Sequence, residues 1–117
     1  MTDLDALLWI QRTVENHSVV VRVCGDLDIL TAPRLSTQLD LAEAIVVPPA
    51  PVVLDLTGLN FLASAGLSVL LAHHERCRTL GSRLEILPGG RAVTRPLAVT
   101  GLDQILDVAP NFVGDPA

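Results

Sequence analysis

Residues 52–56 read Val-Val-Leu-Asp-Leu, and apart from Asp55 they would present apolar side chains to both faces of a sheet. A strand that is apolar on both faces is typical of parallel sheets, because crossover helices cover such sheets. Residues 63–67, Ala-Ser-Ala-Gly-Leu, follow and open a helical pattern. This strand, turn and helix predict an α/β architecture.

The neighbouring segments extend this alternation along the chain. We predict strands over 7–14, 19–24, 52–56, 84–87 and 105–108, and helices from Thr31 to just before Pro48, from 64 to 80 and from 91 to 99. The segment Gly25-Asp26-Leu27-Asp28 is expected to break the second strand. The order β-β-α-β-α-β-α-β predicts a mixed sheet in which right-handed crossovers join the parallel strands.

Both long helices carry apolar stripes. In the first helix, Thr31 is predicted to be the capping residue, and the inward positions are Leu35, Leu39, Ala42 and Val46. In the second helix, the predicted stripe consists of Leu67, Leu70, Leu71, His74 and Cys77, and Gly81 ends the helix.

The composition limits the function classes. The 117 residues suit one domain, 1–117, with a core over about 7–110 and a frayed tail at 111–117. The net charge is −5 and all eight basic residues are Arg, which disfavours a nucleic-acid partner. No signal peptide or apolar stretch long enough for a membrane span is present, so we expect a cytoplasmic protein.

Three motifs occur together in this order: residues 25–33 (GDLDILTAP), the strand–turn–helix at 52–67, and residues 100–103 (TGLD). Together they resemble the STAS domain of sulphate transporters and anti-sigma factor antagonists, over about residues 7–110. The resemblance implies the STAS fold, a mixed four- to five-stranded sheet with helices mainly on one face. The short length is similar to that of the bacterial antagonists.

The resemblance implies a binding module. Antagonists of this family bind an anti-sigma factor, usually a serine kinase of the histidine-kinase-like ATPase fold, and so free the sigma factor to direct transcription. The kinase can end the interaction by phosphorylating a Ser or Thr at the start of the second helix. The implied partner-binding residues here are Asp26, Asp28, Thr31, Ser64, Ala65, Gly66 and Ser68.

The turn departs from the family pattern at two positions. The usual form is Asp-Ser-Ser-Gly-Leu or Asp-Ser-Thr-Gly-Leu, and its second hydroxyl residue accepts the phosphate. Here Ala63 stands at the acidic position and Ala65 at the acceptor position. We therefore expect a docking turn without the usual phosphorylation switch. Ser64 is expected to cap the helix, and phosphorylation of Ser64 itself stays an alternative.

The acidic residues before the first helix have two interpretations. Asp26 and Asp28 match the family's Gly-Glu-Leu-Asp pattern, with Asp in place of Glu, and are expected to lie near residues 63–66. They either meet basic residues of the partner or accept backbone N–H groups of the turn. We favour the second interpretation for Asp26 and leave both open for Asp28.

The thiols and imidazoles give weaker signals. Cys24 and Cys77 are expected to be buried and inert, with a redox disulfide between them as a minor alternative. His73 and Cys77 have a spacing that can bind zinc, but only two ligands are local, so no metal site and no cofactor are predicted.

Paired catalytic groups are missing from the sequence, since no Gly-x-Ser-x-Gly, Cys-x-x-Cys or glycine-rich phosphate loop occurs. We therefore predict a protein that is not an enzyme. The alternative function is a cytoplasmic STAS accessory subunit of a lipid-transporting ABC complex, which would not need a phospho-acceptor. The sequence leaves homodimer formation open.

Overall fold

The computed structural model describes residues 7–110, and within them lie one five-stranded sheet and three α-helices. The predicted tail at 111–117 lies outside the described residues. The strands are β1 (Leu8–Glu15), β2 (Ser18–Leu27), β3 (Val52–Leu62), β4 (Leu84–Leu87) and β5 (Asp107–Val108). The helices are α1 (Ala32–Ile45), α2 (Ser64–Leu80) and α3 (Arg91–Thr100), and a short 3-10 helix spans Leu102–Gln104. The predicted element order is confirmed.

The sheet has the strand order β1-β2-β3-β4-β5. β1 and β2 form an antiparallel hairpin, and the later neighbours pair in parallel. The turn of the hairpin places Asn16 at a φ of 59°, a conformation that Asn tolerates better than most residues. The mixed α/β sheet is therefore confirmed, with five strands.

Side chains alternate between the two faces of the central strands. Val19, Val21 and Val23 of β2 are buried in the core. Arg22, which lies between two of these valines, and Cys24, which follows the last one, are exposed. The inward side chains of β3 and β4 join the same core, against which α1 and α2 pack. One face of the sheet therefore carries the hydrophobic core, as the predicted arrangement requires.

Two strands are longer than predicted. The segment from Gly25 to Asp28 does not end β2 at residue 24, because the strand continues to Leu27 through two register shifts. Gly25 has a φ of +111°, and a Cβ there would lie 2.2 Å from the Leu7 carbonyl oxygen, so only glycine suits this irregular position. β3 likewise continues to Leu62, paired with the extended β2.

The stripe of α2 differs from the predicted one. Its buried residues are Gly66, Leu67, Leu70, His73 and Cys77. Leu71 is exposed and His74 is only partly buried, so the prediction of these two as core positions is wrong. The helix is turned so that the 66–70–73–77 row faces the core, and His73 replaces His74 there. The stripe predicted for α1 is confirmed, since its four positions are buried.

Asp55 is the single carboxylate in the apolar run of β3. Its Oδ1 accepts hydrogen bonds from the Thr57 N–H at 2.9 Å and from the Thr57 hydroxyl at 2.7 Å. Its Oδ2 lies 3.3 Å from Nε of Arg22 on β2. This carboxylate therefore stabilises the neighbouring strands, because all its partners lie in the sheet.

Candidate functional site: the start of helix α2

The ends of β2 and β3 place two sequence motifs side by side. Because the strands are parallel, Asp26 pairs in register with Phe61 and Leu27 with Leu62. The Ala63 N–H donates a 2.9 Å hydrogen bond to the Leu27 carbonyl oxygen. The segment after β2 and the turn before α2 therefore leave the sheet at the same edge, as predicted.

The start of α2 is exposed and has no side-chain cap. Ala63 is the N-cap residue, with an extended backbone, and its carbonyl oxygen accepts from the N–H groups of Gly66 at 3.0 Å and Leu67 at 3.1 Å. Ser64 lies inside the first turn, so its predicted role as the cap is wrong. The reason is that β3 extends to Leu62, which leaves alanine at the capping position.

The lack of a cap has an electrostatic consequence. The N-terminal N–H groups of a helix carry partial positive charge and lack acceptors within the helix. The first turn of α2 contains no acidic residue and no side-chain cap. Ser64 is exposed, so a hydrogen-bond acceptor from another molecule can reach this end of the helix.

Gly66 is buried and does not belong to the surface, contrary to the prediction. A Cβ at this position would lie 2.7 Å from Cδ1 of Leu62 and 2.8 Å from Cγ of Leu27. Such distances are shorter than van der Waals contact, so glycine lets α2 start close against the ends of both strands. Ala65 is half-buried and packs on the core, whereas Ser68 is exposed on the next turn.

Asp28 organises the turn before α1. Its Oδ1 accepts hydrogen bonds from the N–H groups of Leu30 at 2.9 Å and Thr31 at 3.2 Å. Of the two interpretations left open for Asp28, these contacts support the second, in which the carboxylate accepts backbone N–H groups of the turn. The Asp26 side chain is half-exposed, and within residues 7–110 its carboxylate makes no hydrogen bond or ion pair. The interpretation favoured for Asp26, a carboxylate that accepts backbone N–H groups of the turn, is therefore wrong, and of the two acidic residues Asp26 is the one with a free carboxylate.

Thr31 is fully buried and is not part of the surface, contrary to the prediction. Its hydroxyl donates to the Asp26 carbonyl oxygen at 2.8 Å and accepts from the Asp28 N–H at 3.0 Å. Thr31 is the N-cap residue of α1, as predicted, but its hydroxyl makes no capping hydrogen bond with the helix, so only the predicted role of its side chain is wrong. The residue instead holds the end of β2 against the start of α1.

The sequence did not single out three exposed apolar side chains around this turn. Ile29 is 76% exposed, Leu30 is 62% exposed and Phe61 is 51% exposed. We define the turn surface as Asp26, Ile29, Leu30, Phe61 and Ser64. Large apolar side chains grouped on a surface mark sites that bind other proteins. The feature of the sequence that could have indicated this surface is the Ile29-Leu30 pair, which directly follows the acidic segment.

The two cysteines have different environments. Cys77 is buried, as predicted, and burial together with the nearby Glu43 carboxylate raises the pKa of its thiol from 9.0 to about 12. Cys24 is exposed, so its predicted burial is wrong. Both thiols are free, and the sheet separates them, since Cys77 is in the core and Cys24 faces outward. The alternative of a disulfide between them is therefore wrong.

No helix within the described residues is both long enough and apolar enough to cross a membrane.

The chain is similar to proteins of known family. Residues 10–107 match the family described as "Mlab, STAS domain". The anti-sigma-F factor antagonist RsfA of Mycobacterium tuberculosis is 28% identical over 104 residues, which cover 87% of this chain and 81% of RsfA. The anti-sigma F factor antagonist of Paenibacillus polymyxa is 31% identical over 107 residues, which cover 89% of this chain and 90% of that protein.

A solved structure extends this similarity to the fold. The crystal structure of an anti-sigma factor antagonist from Mycobacterium paratuberculosis superimposes with a TM-score of 0.74 and 32% identity. The match covers 89% of this chain and 86% of that chain. The family match over residues 10–107 includes all five residues of the turn surface.

Proposed function

The chain belongs to the STAS domain family, and on that premise we propose that it acts as an anti-sigma factor antagonist. It binds an anti-sigma factor and thereby frees the sigma factor that this partner holds. The names of its relatives support this function over nearly the whole chain. The observation that carries the proposal is the turn surface, where an uncapped helix start lies beside exposed apolar side chains.

The chemistry of the turn surface fits a protein partner. Ile29, Leu30 and Phe61 supply apolar area whose burial on binding would release water, at about 25 cal/mol for each Å². The N–H groups at the start of α2 offer directional hydrogen bonds to a carbonyl or carboxylate of the partner. The free carboxylate of Asp26 suits a basic side chain of the partner.

The other predicted residues have supporting roles in this proposal. Asp28 and Thr31 hold the segment between β2 and α1 in shape, and Gly66 allows close packing at the start of α2. Ala65 and Ser68 flank Ser64 on the helix. A partner seated on Ser64 would therefore also meet these two positions.

We propose that phosphorylation at residue 65 does not switch this protein, because alanine has no hydroxyl group. Ser64 is exposed and carries the nearest hydroxyl, so phosphate transfer to Ser64 is the outcome that would change this proposal. Following the family resemblance, the proposed partner is a serine kinase of the histidine-kinase-like ATPase fold, and the interaction takes place in the cytoplasm. We propose a regulatory binding protein, not an enzyme.

The alternative, an accessory subunit of a lipid-transporting ABC complex, is not favoured. The similar proteins of known function are named anti-sigma factor antagonists, although the matching family takes the name Mlab.

The first test is a titration of the purified protein against the histidine-kinase-like anti-sigma factors of the same genome, with ADP or ATP present. The expected result is tight binding and an unchanged intact mass after incubation with ATP. Ala65→Ser should then gain one phosphate, and Ser64→Ala should leave the wild-type mass result unchanged. A phosphate on Ser64 of the wild type would contradict the proposal that this protein lacks a phosphorylation switch. Absence of binding to every such partner would contradict the proposed function.

A further inference from the structure

The outer edge of β1 is unpaired in the part of the chain that the structure describes. β1 is the first strand in the sheet order and pairs with β2 on one side, and within residues 7–110 no strand pairs with its other side. Such an edge presents backbone N–H and C=O groups that can pair with another chain. The proposed function does not use this edge, since the turn surface lies where β2 and β3 end.

The hairpin geometry determines which backbone groups of β1 face outward. Glu15 and Ser18 flank the two-residue turn, and such flanking residues exchange both of their backbone hydrogen bonds. Bonded pairs alternate along an antiparallel ladder, so every second residue before Glu15 also bonds to β2. The residues between them, Ile10, Arg12 and Val14, therefore direct their N–H and C=O groups to the free side.

This edge lacks the features that usually protect edge strands. β1 pairs with β2 over all eight of its residues without a register shift, and it contains no proline or lysine. The guanidinium of Arg12 is bonded within its own chain, because it donates to Oε1 of Gln38 on α1. The opposite edge strand, β5, has only two residues, and a very short strand is one of the usual protections. β1 is therefore the edge of this sheet that is open to pairing.

Helix α1 lies beside the open edge and adds apolar side chains to it. Nη1 of Arg34 donates to the Leu8 carbonyl oxygen at 2.8 Å, and the bond to Gln38 starts from the same strand, so this side of α1 lies over β1. Residues 41 and 45 continue the same stripe of the helix, at spacings of three and four residues. They are Leu41 and Ile45, and both are exposed.

The opposite side of α1 is occupied by α2. Oε2 of Glu43 lies 2.5 Å from Nδ1 of His73, and Oδ1 of Asp40 lies 4.0 Å from Nε2 of the same ring. The side chains of Glu43 and His73 are both buried. The packing of the two helices therefore leaves Leu41 and Ile45 on the side of α1 that faces the open edge.

From this arrangement we propose that β1 pairs with β1 of a second copy of this chain, antiparallel and across a two-fold axis. An antiparallel pair of identical strands is self-complementary, because each copy offers the other the same N–H and C=O groups. The joined sheet has ten strands, and the two α1 helices lie on its same face. The exposed side chains of Val14, Leu41 and Ile45 are then buried between the copies.

The size of the edge indicates a weak dimer. The eight residues of β1 span about 27 Å at ~3.4 Å each, and the strand with the helix beside it is on the order of 20 Å deep. The contact therefore buries on the order of 500 Å² in each copy, and the total of about 1,000 Å² is the lower limit for a specific interface. We expect reversible dimerisation at micromolar concentrations.

Side-chain charge limits where the two-fold axis passes. Because the helices of both copies lie on one face of the joined sheet, side chains of the same face meet, and the axis passes through a residue of the free segment. An axis through Arg12 would place two guanidinium groups directly opposite each other, which is destabilising. The axis therefore passes through Gln11 or Thr13, whose side chains are exposed on the other face of the strand.

Sedimentation of the full chain over a concentration series tests the proposal, and the expected result is a monomer–dimer equilibrium without larger species. Val14→Pro removes an outward N–H but no bond to β2, a change that edge strands tolerate. It should weaken dimerisation by about tenfold or more, because the two-fold axis makes each loss occur twice. Ile45→Asp should weaken it similarly, since it places two carboxylates at the contact.

The matched control is Leu80→Asp on α2, because Leu80 is 47% exposed and Ile45 is 41% exposed. This control should dimerise like the wild type. Circular dichroism verifies that each variant is folded, and Ile45→Asp keeps the test decisive if Val14→Pro does not fold.

Cross-linking locates the contact independently. Gln11→Cys and Thr13→Cys, each combined with Cys24→Ser, place one thiol on the edge. Residues on the axis have Cα atoms about 4.5 Å apart, which a disulfide can span, so one of the two variants should form a covalent dimer under mild oxidation. In the wild type, the exposed Cys24 of β2 should not cross-link, because an edge-to-edge dimer keeps the two β2 strands about 14 Å apart.

Three results would overturn the proposal. The first is a monomer at every concentration, which would leave the edge to a strand of another protein. The second is a dimer that Val14→Pro and Ile45→Asp do not weaken. The third is cross-linking through Cys24 in the wild type with no cross-link at residues 11 and 13, which would indicate a contact between the faces of the sheets.

Discussion

The N–H of Ala63 donates a hydrogen bond to the carbonyl oxygen of Leu27, at 2.9 Å, and this bond joins the ends of β3 and β2 where both chains leave the sheet. It places the exposed Ser64 beside the apolar residues that follow β2. The proposed docking surface therefore depends on two strands that are far apart in sequence.

Exposed apolar side chains of the turn surface should determine the affinity for the anti-sigma factor. Leu30→Asp and Phe61→Asp are each expected to weaken binding by about tenfold or more, since buried apolar anchors dominate interface energies. Folding stability should change little, because both side chains are more than half exposed. Val99, at 77% exposure on α3, gives the control Val99→Asp, which should bind like the wild type. Equal weakening by all three variants would contradict the assignment.

Gly66→Ala should destabilise the fold by about 1–3 kcal/mol, the usual cost of overpacking a core. The new methyl group would press on Leu27 and Leu62, which define the end of the sheet. Gly90→Ala is the control, because no atom lies within 4 Å of a Cβ there and its φ of −90° suits any residue. In urea unfolding, Gly90→Ala should change the unfolding free energy by no more than about 1 kcal/mol, which is the cost of weakening a helix cap.

Asp28→Ala should cost about 1–2 kcal/mol of unfolding free energy, similar to the loss of a helix-capping side chain. The N–H groups of Leu30 and Thr31 would lose the carboxylate acceptor that orders this turn. Asp26→Ala is the matched control, since the Asp26 carboxylate makes no such contacts within the described chain. If Asp26→Ala destabilised the protein as much as Asp28→Ala, the proposed division of roles would be wrong.

The buried pair of Glu43 and His73 should be strongly coupled. Glu43→Leu alone is expected to destabilise the protein by about 3–5 kcal/mol, as is typical when one partner of a buried pair is removed. The double change Glu43→Leu with His73→Leu should recover much of that loss, because no unpaired polar group stays in the core. Urea unfolding of the single and double variants gives both values. Additive losses would show that the pair is not coupled.

The two thiols should differ in reactivity. At pH 8, Cys24 should react with a thiol reagent in the folded protein, because it is exposed, and Cys77 should react only after unfolding. Intact mass with and without denaturant counts the modified sulfurs, and Cys24→Ser should remove the native-state modification. Fast modification of Cys77 in that variant would contradict the described burial.

The raised thiol pKa also predicts a change of stability with pH. Between pH 9.0 and about 12, the unfolded chain has released the Cys77 proton while the folded chain still holds it. The folded state therefore binds more protons in this window, and the unfolding free energy falls as the pH rises. The Cys77→Ala variant should show a weaker fall over the same range.

The sequence predicted local features that depend on neighbouring residues. β4 at 84–87 and α2 at 64–80 have the predicted bounds, because proline, glycine and the apolar spacing mark their ends. The lengths of β2 and β3 were underestimated. Their extensions to Leu27 and Leu62 depend on hydrogen bonds between the two strands, which no local pattern reports.

The predictions for the site residues also succeeded where they depended on the local sequence and failed where they depended on tertiary packing. The sequence located the turn at 63–66 and the acidic segment before α1, and it recognised that Ala65 cannot accept a phosphate. It misplaced Thr31, Ser64 and Gly66, whose roles depend on burial and on where β3 ends. Exposure of Cys24 likewise depends on which face of the sheet the helices cover.

By itself, the sequence determined the order of the elements, the family and the missing phospho-acceptor, because these follow from residue identity and from spacing along the chain. Only the tertiary structure decided which residues form the turn surface and how Asp40 and Glu43 meet His73. The physical reason is that strand pairing and helix packing bring together atoms about 30 residues apart. The rotation of α2 about its axis, set by packing, then determines which of two adjacent histidines enters the core.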